Sequence, residues 1–366
     1  MTTDARYSRA ITAAQIPLFR QALSRIRPGA HGGGIQPKLA GDSYGYPSQV
    51  LAYSNANGVI YVKTRPKQWA LQNWPADCIM EQWTRLDGPA VRVHCKLTNG
   101  RSDHTQYPPY EQELPAAYGI GALCHIFSCT GTAPLTGGAL TQQGSIFSGS
   151  GLPIWTLWRA TENWSAFVND SNFGVGVHNP DAIRTLGGYY SPEADLCTGG
   201  SPDDNTAYIA PLHIEVLDYN IVYEYNYNLI VGTLTDIRNW VYTHHSDPRP
   251  DYSFRTSRRH WYANYGDAGP PKGFLRQYLN GPDPTLAGPS TAFPASTCPT
   301  IYFAARYVMS PPPANPSAQL FWQTNDTDFS GDFSEALSET CGGHLDVQPT
   351  AGFEGTCADS DDVRRE

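Results

Sequence analysis

Charged residues are scarce in this chain: only 16% of its 366 residues are Asp, Glu, Lys or Arg, against roughly a quarter in a typical soluble domain. Basic runs are absent beyond the pairs at 258–259 and 364–365, and the formal net charge is −9. A surface that neutralises phosphates needs clustered Lys and Arg, so we expect no nucleic-acid partner. Aromatic residues make up 12%, which excludes a disordered or coiled-coil chain.

Long apolar runs are also missing. No stretch approaches the roughly 18 apolar residues of a membrane-spanning helix, so we expect no membrane span. The first 26 residues lack the apolar core of a secretory signal. Eight cysteines, few lysines and three glycosylation sequons, at Asn163, Asn169 and Asn325, are nevertheless typical of extracellular proteins. We therefore expect a secreted, disulfide-bonded glycoprotein whose leader is absent from this sequence; the alternative is a reduced cytoplasmic protein.

The cysteines include none of the close CxxC pairs that hold structural zinc. Their connectivity does not follow from the sequence, but two local pairs are candidates. Cys124 and Cys129 could close a small loop, and Cys341 and Cys357 could staple the polar C-terminal tail. We predict at least two disulfides, with Cys341–Cys357 as the expected local pair, and we expect no metal and no other cofactor.

Helical spacing of apolar residues is confined to two stretches. Residues 7–26 predict an N-terminal helix, and residues 234–242 predict a second, short one. From residue 32 onward the chain consists of strand-sized runs separated by turns, in keeping with its 34 Gly and 30 Pro. Asn57-Gly58 and Asp87-Gly88 each stand between two such runs and predict β-hairpins.

The run at 221–229 alternates strictly between apolar and polar residues. One face of the predicted strand carries Ile221, Tyr223, Tyr225, Tyr227 and Leu229, and the other carries Glu224, Asn226 and Asn228. The glycines of GVGVH at 174–178 indicate close packing on a sheet rather than a phosphate-binding loop. We predict an all-β protein, a large antiparallel β-sandwich with a short N-terminal helix and few other helices, a barrel being the alternative.

The expected domain organisation has three parts. They are a helical segment at 1–30, the main sandwich at 31–280, and a Pro-rich linker with terminal strands and an acidic tail at 281–366.

Familiar catalytic motifs are absent: the chain has no GxSxG, HExxH, P-loop or dinucleotide-binding fingerprint, which excludes most enzymes of those classes. What remains are clusters of the kind that bind sugars, whose rings stack on Trp and Tyr and whose hydroxyls need polar partners. The richest cluster lies at 255–269 and contains Arg258, Arg259, His260, Trp261, Tyr262, Asn264 and Asp267. Its structural alternative is an aromatic strand with a solvated basic start.

Two further segments carry carboxylates at strand spacing. Glu111 and Glu113 are two residues apart and would share one face of a strand, close enough to shift one another's pKa. The alternative is a solvated acidic edge that discourages strand addition. His213 and Glu215 form a similar pair, for which an ordinary polar sheet face is the alternative.

Several strings carry a resemblance to a known class of proteins. They are KTRPKQWALQNWP at 63–75, TQYPPYEQELPAAY at 105–118, NFGVGVHNP at 172–180, TAYIAPLHIEVLDYN at 206–220 and RRHWYANYGDAGPPKG at 258–273. In these segments the chain resembles secreted microbial carbohydrate-active β-sandwich proteins of the glycosidase and polysaccharide-lyase type. The string AQLFWQTNDTDFSGDFSEALS at 318–338 resembles the start of the accessory jelly-roll modules found beside such enzymes. The resemblance implies a carbohydrate partner but assigns no catalytic residue.

We therefore expect a secreted glycoside hydrolase that cleaves a polysaccharide or oligosaccharide with a carboxylate pair. A polysaccharide lyase and a non-catalytic carbohydrate-binding or cell-surface structural protein are the alternatives. The predicted catalytic residues are Glu113, Glu215, Asp267 and His260, and the predicted substrate-binding residues are Trp69, Arg259, Trp261, Tyr262 and Asn264. Glu113 is the expected general acid, because flanking proline and Leu114 would remove it from water and raise its pKa.

Overall fold

The computed structural model describes residues 41–42, 44–68, 70–102, 110–147, 155–190, 197, 205–215, 222–245, 254, 258, 261–268, 273–279, 281–288, 301–303, 318–322, 331–337 and 345–347. Of the described part, 56% lies in strands and 7% in helix, which confirms the predicted all-β class. The helix predicted at 7–26 lies outside the described residues. No helix in the described ranges is long and apolar enough to cross a membrane.

The larger of two main sheets has nine strands, each antiparallel to its neighbours. In spatial order they are β1 (Gln49–Ala56), β2 (Val59–Arg65), β3 (Cys78–Asp87), β4 (Ala90–Asn99), β15 (Val222–Thr233), β12 (Phe173–His178), β11 (Trp164–Val168), β7 (His125–Ser128) and β8 (Thr141–Gln143). The first four form a meander that turns at Asn57-Gly58 and at Gly88, as the sequence predicts. The φ angles of 54° at Asn57 and 74° at Gly58 suit a type I′ turn.

The smaller sheet has six strands. Its main path is β10 (Thr156–Arg159), β13 (Arg184–Tyr190), β14 (Thr206–Glu215) and β5 (Tyr110–Glu113), with β6 (Ala117–Ile120) antiparallel to β14 and β9 (Ser145–Phe147) parallel to β13. Strands β5 and β6 follow one another along the same edge of β14, and a cis Leu114-Pro115 bond lies between them. This arrangement places Glu113 at the end of β5.

The two sheets pack face to face around an apolar core. The core contains Ile126, Trp158, Ala160, Phe167, Val177, Tyr189, Ala207 and Ile209. A second cluster extends along the larger sheet with Ala76, Cys78, Met80, Val91, Val93, Cys95, Leu97, Leu114, Tyr223 and Tyr225. In β15, Tyr223 and Tyr225 are buried while Glu224 and Asn226 are exposed, as the alternation predicts. Asn228 differs: it is buried and donates to His178 Nδ1 at 3.0 Å.

Helix α1 (Leu234–His244) follows β15 directly and covers the face of the larger sheet that points away from the smaller sheet. It begins with a capping box, in which Thr233 Oγ1 accepts from the Asp236 N–H and Asp236 Oδ2 accepts from the Thr233 N–H. Its buried residues pack against Trp164, Ala166, Val168 and Ile230. A Cβ on Gly176 would run into the Ile237 side chain, so this glycine allows the close packing predicted for GVGVH. The helix confirms the short element predicted at 234–242.

Short strand pairs complete the described structure, and chain contacts divide it into two units. In the unit of residues 1–246 with 251–291, β16 (Tyr262–Asn264) pairs with β19 (Thr285–Ala287) and β17 (Gly266–Ala268) with β18 (Gln277–Leu279). In the unit of residues 247–250 with 292–366, β20 (Ile301–Phe303) pairs with β23 (Leu345–Val347) and β21 (Ala318–Phe321) with β22 (Ser334–Leu337), preceded by a 3₁₀ turn at Gly331–Phe333.

A disulfide joins Cys124 to Cys197, 73 residues apart in sequence. The candidate pair Cys124–Cys129 is therefore not formed, because Cys124 is bonded to Cys197 and Cys129 is a buried free thiol. Cys78 and Cys95 are likewise free and buried. The predicted Cys341–Cys357 pair lies outside the described residues.

Candidate functional site

Strand β14 packs apolar residues on both of its faces. Ala207 and Ile209 belong to the core between the sheets, whereas Tyr208, Ala210 and Leu212 pack on the opposite side, which we call the outer face. The cluster on the outer face also contains Ala116, Tyr118, Trp155 and Leu186. Side chains from four separate segments therefore meet on this face.

Glu113 points to the outer face. It pairs with Leu212 across β5 and β14, and directly opposed residues of antiparallel strands share a face. The backbone beside it is fixed, because the Leu114 N–H donates to the Pro211 carbonyl at 2.8 Å and Asn179 Nδ2 donates to the Leu114 carbonyl at 2.6 Å. Leu114 itself packs in the core, on the other side of the strand. The expected shielding of Glu113 by Leu114 is therefore not what the structure shows.

Aromatic rings are the neighbours of Glu113 instead. Tyr118 pairs with Tyr208 across β6 and β14 with ring centroids 4.7 Å apart, and Trp155 stacks on Tyr208 at 5.1 Å. Burial, followed by the negative charge of Glu113, raises the pKa of Tyr118 to about 12. The same two causes raise the pKa of Tyr208 well above its ordinary value. Both phenols thus lie within electrostatic range of one carboxylate and remain protonated at neutral pH.

A second carboxylate, Glu111, shares the outer face with Glu113. Residues two apart on a strand project to the same side, and Glu111 and Glu113 both belong to β5. Arg184 Nε donates to Glu111 Oε1 at 2.9 Å, and the two side chains are 47% and 36% exposed. The outer face therefore holds two carboxylates in different surroundings. Glu111 is ion-paired at the surface, and Glu113 lies within electrostatic range of Tyr118 and Tyr208.

Glu215, the predicted partner of Glu113, lies on the opposite side of the same sheet. It pairs with Tyr110 across β14 and β5, so it alternates with Leu212 and projects toward the core. Only 1% of Glu215 is exposed. The pKa of the buried Tyr223 is raised by burial and then by the charge of Glu215, which places this glutamate beside the larger sheet. Glu113 and Glu215 therefore do not converge on one substrate.

The other predicted site residues are placed only in part. Trp69, Arg259 and His260 lie outside the described residues, and for Asn264 and Asp267 only the strand positions are described. Trp261 packs edge-on against Phe254, with ring centroids 6.1 Å apart. Burial raises the pKa of Tyr262, and the charge of Arg184 lowers it, so Tyr262 lies within range of the Glu111–Arg184 pair. Among the predicted aromatic residues that the structure describes, Tyr262 is brought near the outer face.

A separate row of aromatic and polar residues lies on the face of the larger sheet that also carries α1. This aromatic ladder consists of Tyr61, Trp83, His94 and Asn226, which pair in register across β2, β3, β4 and β15. Successive ring centroids are 5.1 Å apart, and His94 Nδ1 lies 3.0 Å from Asn226 Oδ1. The Tyr61 hydroxyl donates to Glu81 at 2.6 Å, and chiefly this bond raises the Tyr61 pKa to about 12.

Four potential metal-binding side chains come together among the described residues. They are Cys124, His125, Asp170 and Cys197, whose ligand atoms all lie within 4.8 Å of one another. Two of these groups form the disulfide.

No protein-family model matches the sequence, and no curated protein matches it. Solved structures with partial likeness include a galactose mutarotase-like protein from Lactobacillus casei ATCC 334, at 10% identity over 52% of this chain and 74% of that chain, with a TM-score of 0.33. A 4-alpha-glucanotransferase from Thermococcus litoralis has 11% identity over 52% of this chain and 23% of that chain, with a TM-score of 0.27. Heparan sulfate lyase from Pedobacter heparinus has 5% identity over 64% and 28%, with a TM-score of 0.27. At these values the likeness transfers no role to any residue of this chain.

Proposed function

We propose that this protein is a glycoside hydrolase whose site is the outer face of the smaller sheet, with Glu113 as general acid and Glu111 as general base. The observation that carries the proposal is the contrast between two carboxylates on one face. Arg184 holds the Glu111 carboxylate in place, as a base that orients water requires. Tyr118 and Tyr208 lie within electrostatic range of Glu113, and we infer that a substrate bound against these rings would remove the Glu113 carboxyl group from water and favour the protonated form that a general acid needs.

The spacing of the pair favours inversion at the anomeric carbon. Residues two apart on a strand are about 6.6–6.8 Å apart, and the side chains of Glu111 and Glu113 leave β5 in the same direction. Inverting glycosidases separate their carboxyl groups by roughly 6.5–9.5 Å, which leaves room for a water molecule, whereas retaining enzymes need about 5–5.5 Å.

The aromatic residues of the outer face supply sugar-binding surface. Trp155 and Tyr118 are only half-buried, and both rings contact Tyr208, which is fully buried. Sugar rings stack on such surfaces through their apolar faces. Arg184 and the Tyr118 hydroxyl are donors for the sugar hydroxyl groups.

A screen against neutral and uronate-containing glycans tests the proposal, with reducing ends and unsaturated-product absorbance read in parallel. Reducing ends without unsaturated product support hydrolysis, and both signals together indicate a lyase. The Glu113→Gln and Glu111→Gln variants should each lower the rate by roughly 10²–10⁴-fold. Asp283→Asn, which alters an exposed acid in the same unit, is the matched control and should retain full activity. Unchanged activity in both glutamate variants would refute the assigned roles.

The aromatic ladder supports a second candidate function, non-catalytic carbohydrate binding. Tyr61, Trp83 and His94 are half-buried on an open sheet face, and they do not share it with Glu113. Glycan binding without turnover, lost in Trp83→Ala and kept in Glu113→Gln, would favour this function over hydrolysis. Binding lost in Glu113→Gln alone would exclude the ladder as the site.

We also propose that the protein works outside the cytoplasm, which the Cys124–Cys197 disulfide supports. Asn163, one of the three sequons, is buried and donates to the Ala182 carbonyl at 3.0 Å, so the folded chain has no room for a glycan there. Mass spectrometry of native-source protein without reductant tests the location. A Cys124–Cys197 cross-linked peptide is expected, and two free thiols would contradict it.

A further inference from the structure

The disulfide is flanked by a histidine and an aspartate in contact with each other. His125 Nε2 lies 2.9 Å from Asp170 Oδ1, and Cys197 Sγ lies 3.8 Å from the same nitrogen. The contact follows from the sheet, because His125 pairs with Val168, two residues before Asp170, across β7 and β11. No feature of the outer face or of the aromatic ladder includes these residues.

We propose that reduction of the Cys124–Cys197 disulfide creates a zinc site with Cys124, Cys197, His125 and Asp170 as its four ligands. Two thiolates, an imidazole and a carboxylate form a donor set that zinc prefers in tetrahedral geometry. Zinc bond lengths of about 2.0–2.3 Å place neighbouring ligand atoms roughly 3.3–3.8 Å apart. The four ligand atoms already lie within 4.8 Å of one another, so small side-chain movements suffice once the S–S bond is broken.

The supporting structure holds the ligands near these positions. Asp170 belongs to the turn between β11 and β12, where Asn169 Oδ1 accepts from the backbone N–H groups of Ser171 and Phe173. Cys124 is buried, whereas the Asp170 side chain is 78% exposed and the His125 side chain 31% exposed. The cluster therefore opens to solvent on the His125 and Asp170 side, which gives an ion a path of entry.

A phosphine can reduce the Cys124–Cys197 disulfide. The phosphine takes the oxygen of one water molecule and becomes its oxide, supplying two electrons, and the two water hydrogens end on Cys124 and Cys197 as thiols. Binding of Zn²⁺ then displaces one proton from each thiol, so two protons leave as two Zn–S bonds form.

Cobalt(II) titration of the full chain tests the site, because Co²⁺ bound to thiolates absorbs by sulfur-to-metal charge transfer. Phosphine-reduced, desalted protein should bind one Co²⁺ with that absorption, Zn²⁺ should displace it, and the oxidised protein should show neither effect. Asp170→Asn and His125→Gln should each weaken Co²⁺ binding by more than roughly tenfold, because even a residue that only hydrogen-bonds to a metal ligand typically contributes 10–100-fold to affinity. Cys129→Ser removes a buried thiol outside the cluster and should bind as the unmodified chain does.

A second measurement covers the case in which reduction loosens the fold. Added Zn²⁺ should raise the melting temperature of the reduced chain, and should do so less in Asp170→Asn and His125→Gln. Reduced protein without cobalt charge transfer and without a zinc-dependent rise in melting temperature would overturn the proposal. Equal cobalt affinity in the unmodified chain and both ligand variants would overturn it as well.

Discussion

Arg184 and Glu111 form an ion pair between β13 and β5, with Arg184 Nε 2.9 Å from Glu111 Oε1. Both side chains are substantially exposed, and exposed ion pairs contribute only about 0–1 kcal/mol to folding. The pair therefore contributes little to stability, whereas in the proposed hydrolase it orients the base.

Replacement of Arg184 separates these two roles. We predict that Arg184→Gln lowers the rate of hydrolysis by roughly tenfold or more, because a positioned general base contributes about 10²–10⁴-fold to the rate. The free energy of unfolding should change by less than about 1 kcal/mol. Arg184→Lys should recover part of the rate. Steady-state kinetics and urea unfolding of the same samples measure both effects. Full activity in Arg184→Gln would contradict the orienting role.

Glu162 anchors the helix to the larger sheet. Its carboxylate, 0% exposed, accepts from Arg238 Nη2 at 2.7 Å and Nε at 3.1 Å, from the Tyr242 hydroxyl at 2.6 Å and from Trp164 Nε1 at 3.0 Å. Burial alone would raise the pKa of Glu162, but these hydrogen bonds outweigh it and lower the pKa below its ordinary value. The bonds therefore stabilise the fold at neutral pH, and this contribution is lost as the pH falls through the lowered pKa.

Glu162→Gln should destabilise the protein by roughly 3 kcal/mol, the lower end of the range for breaking a buried ion pair, because Arg238 loses its counter-charge. Asp87→Asn is the matched control, since Asp87 pairs with Arg92 at 3.0 Å with both side chains 39% exposed. Its cost should stay within about 1 kcal/mol. Urea denaturation measures the loss in free energy of unfolding for both variants. Equal losses would contradict the view that burial makes the Glu162 ion pair more stabilising than the exposed Asp87–Arg92 pair.

His178 makes stability depend on pH. Burial, followed by the positive charges of His245, His244 and Arg92, lowers the pKa of His178 to about 3. The unfolded chain binds a proton at this residue below about pH 6.5, whereas the folded protein does so only near pH 3. The free energy of unfolding therefore decreases as the pH is lowered from 6.5 toward 3. Between pH 6.5 and 4.5 the unmodified chain should lose about 2–3 kcal/mol more than His178→Gln. Urea unfolding across that range measures the difference; parallel curves would contradict it.

Gly176 fixes the distance between β12 and α1. An added Cβ would run into Ile237, so Gly176→Ala should cost about 1–3 kcal/mol through overpacking. Gly131→Ala is the control, because its Cβ would meet nothing within 4 Å. Ile237→Ala removes the obstructing Cγ2 atom and should recover part of the loss, so the double variant should be less destabilised than the sum of the single ones. Strict additivity in thermal unfolding would show that the two residues do not compete for space.

Much of the fold follows from local sequence patterns. The alternation of Tyr223 and Tyr225 with Glu224 and Asn226 predicts which face of β15 is buried, and Asn57-Gly58 predicts the first hairpin. Both features depend on residues close in sequence, where side-chain period and turn chemistry decide the outcome. The disulfide could not be predicted in this way, because the path of the chain brings Cys197 to Cys124 from 73 residues away.

The candidate site was predictable only in part for the same reason. The spacing of Glu111 and Glu113 places both on one face of any strand, and the structure confirms this placement. The relation between Glu113 and Glu215 depends on the register of β5 on β14, which puts them on opposite faces. Arg184 and Tyr118 reach the site through pairings between distant strands. Consecutive apolar residues in β14, including Ala207, Tyr208 and Ile209, indicate a strand that is covered on both faces. This is the sequence signal that could have revealed the outer face.

The most direct measurement is a crystal structure of Glu113→Gln with an oligosaccharide that the screen identifies as substrate. The inactive variant should hold the intact ligand on the outer face, against Trp155 and Tyr118, with the scissile oxygen beside residue 113 and a water molecule between the anomeric carbon and Glu111. An oligosaccharide bound on the aromatic ladder at Trp83, with the outer face free of sugar, would contradict the account.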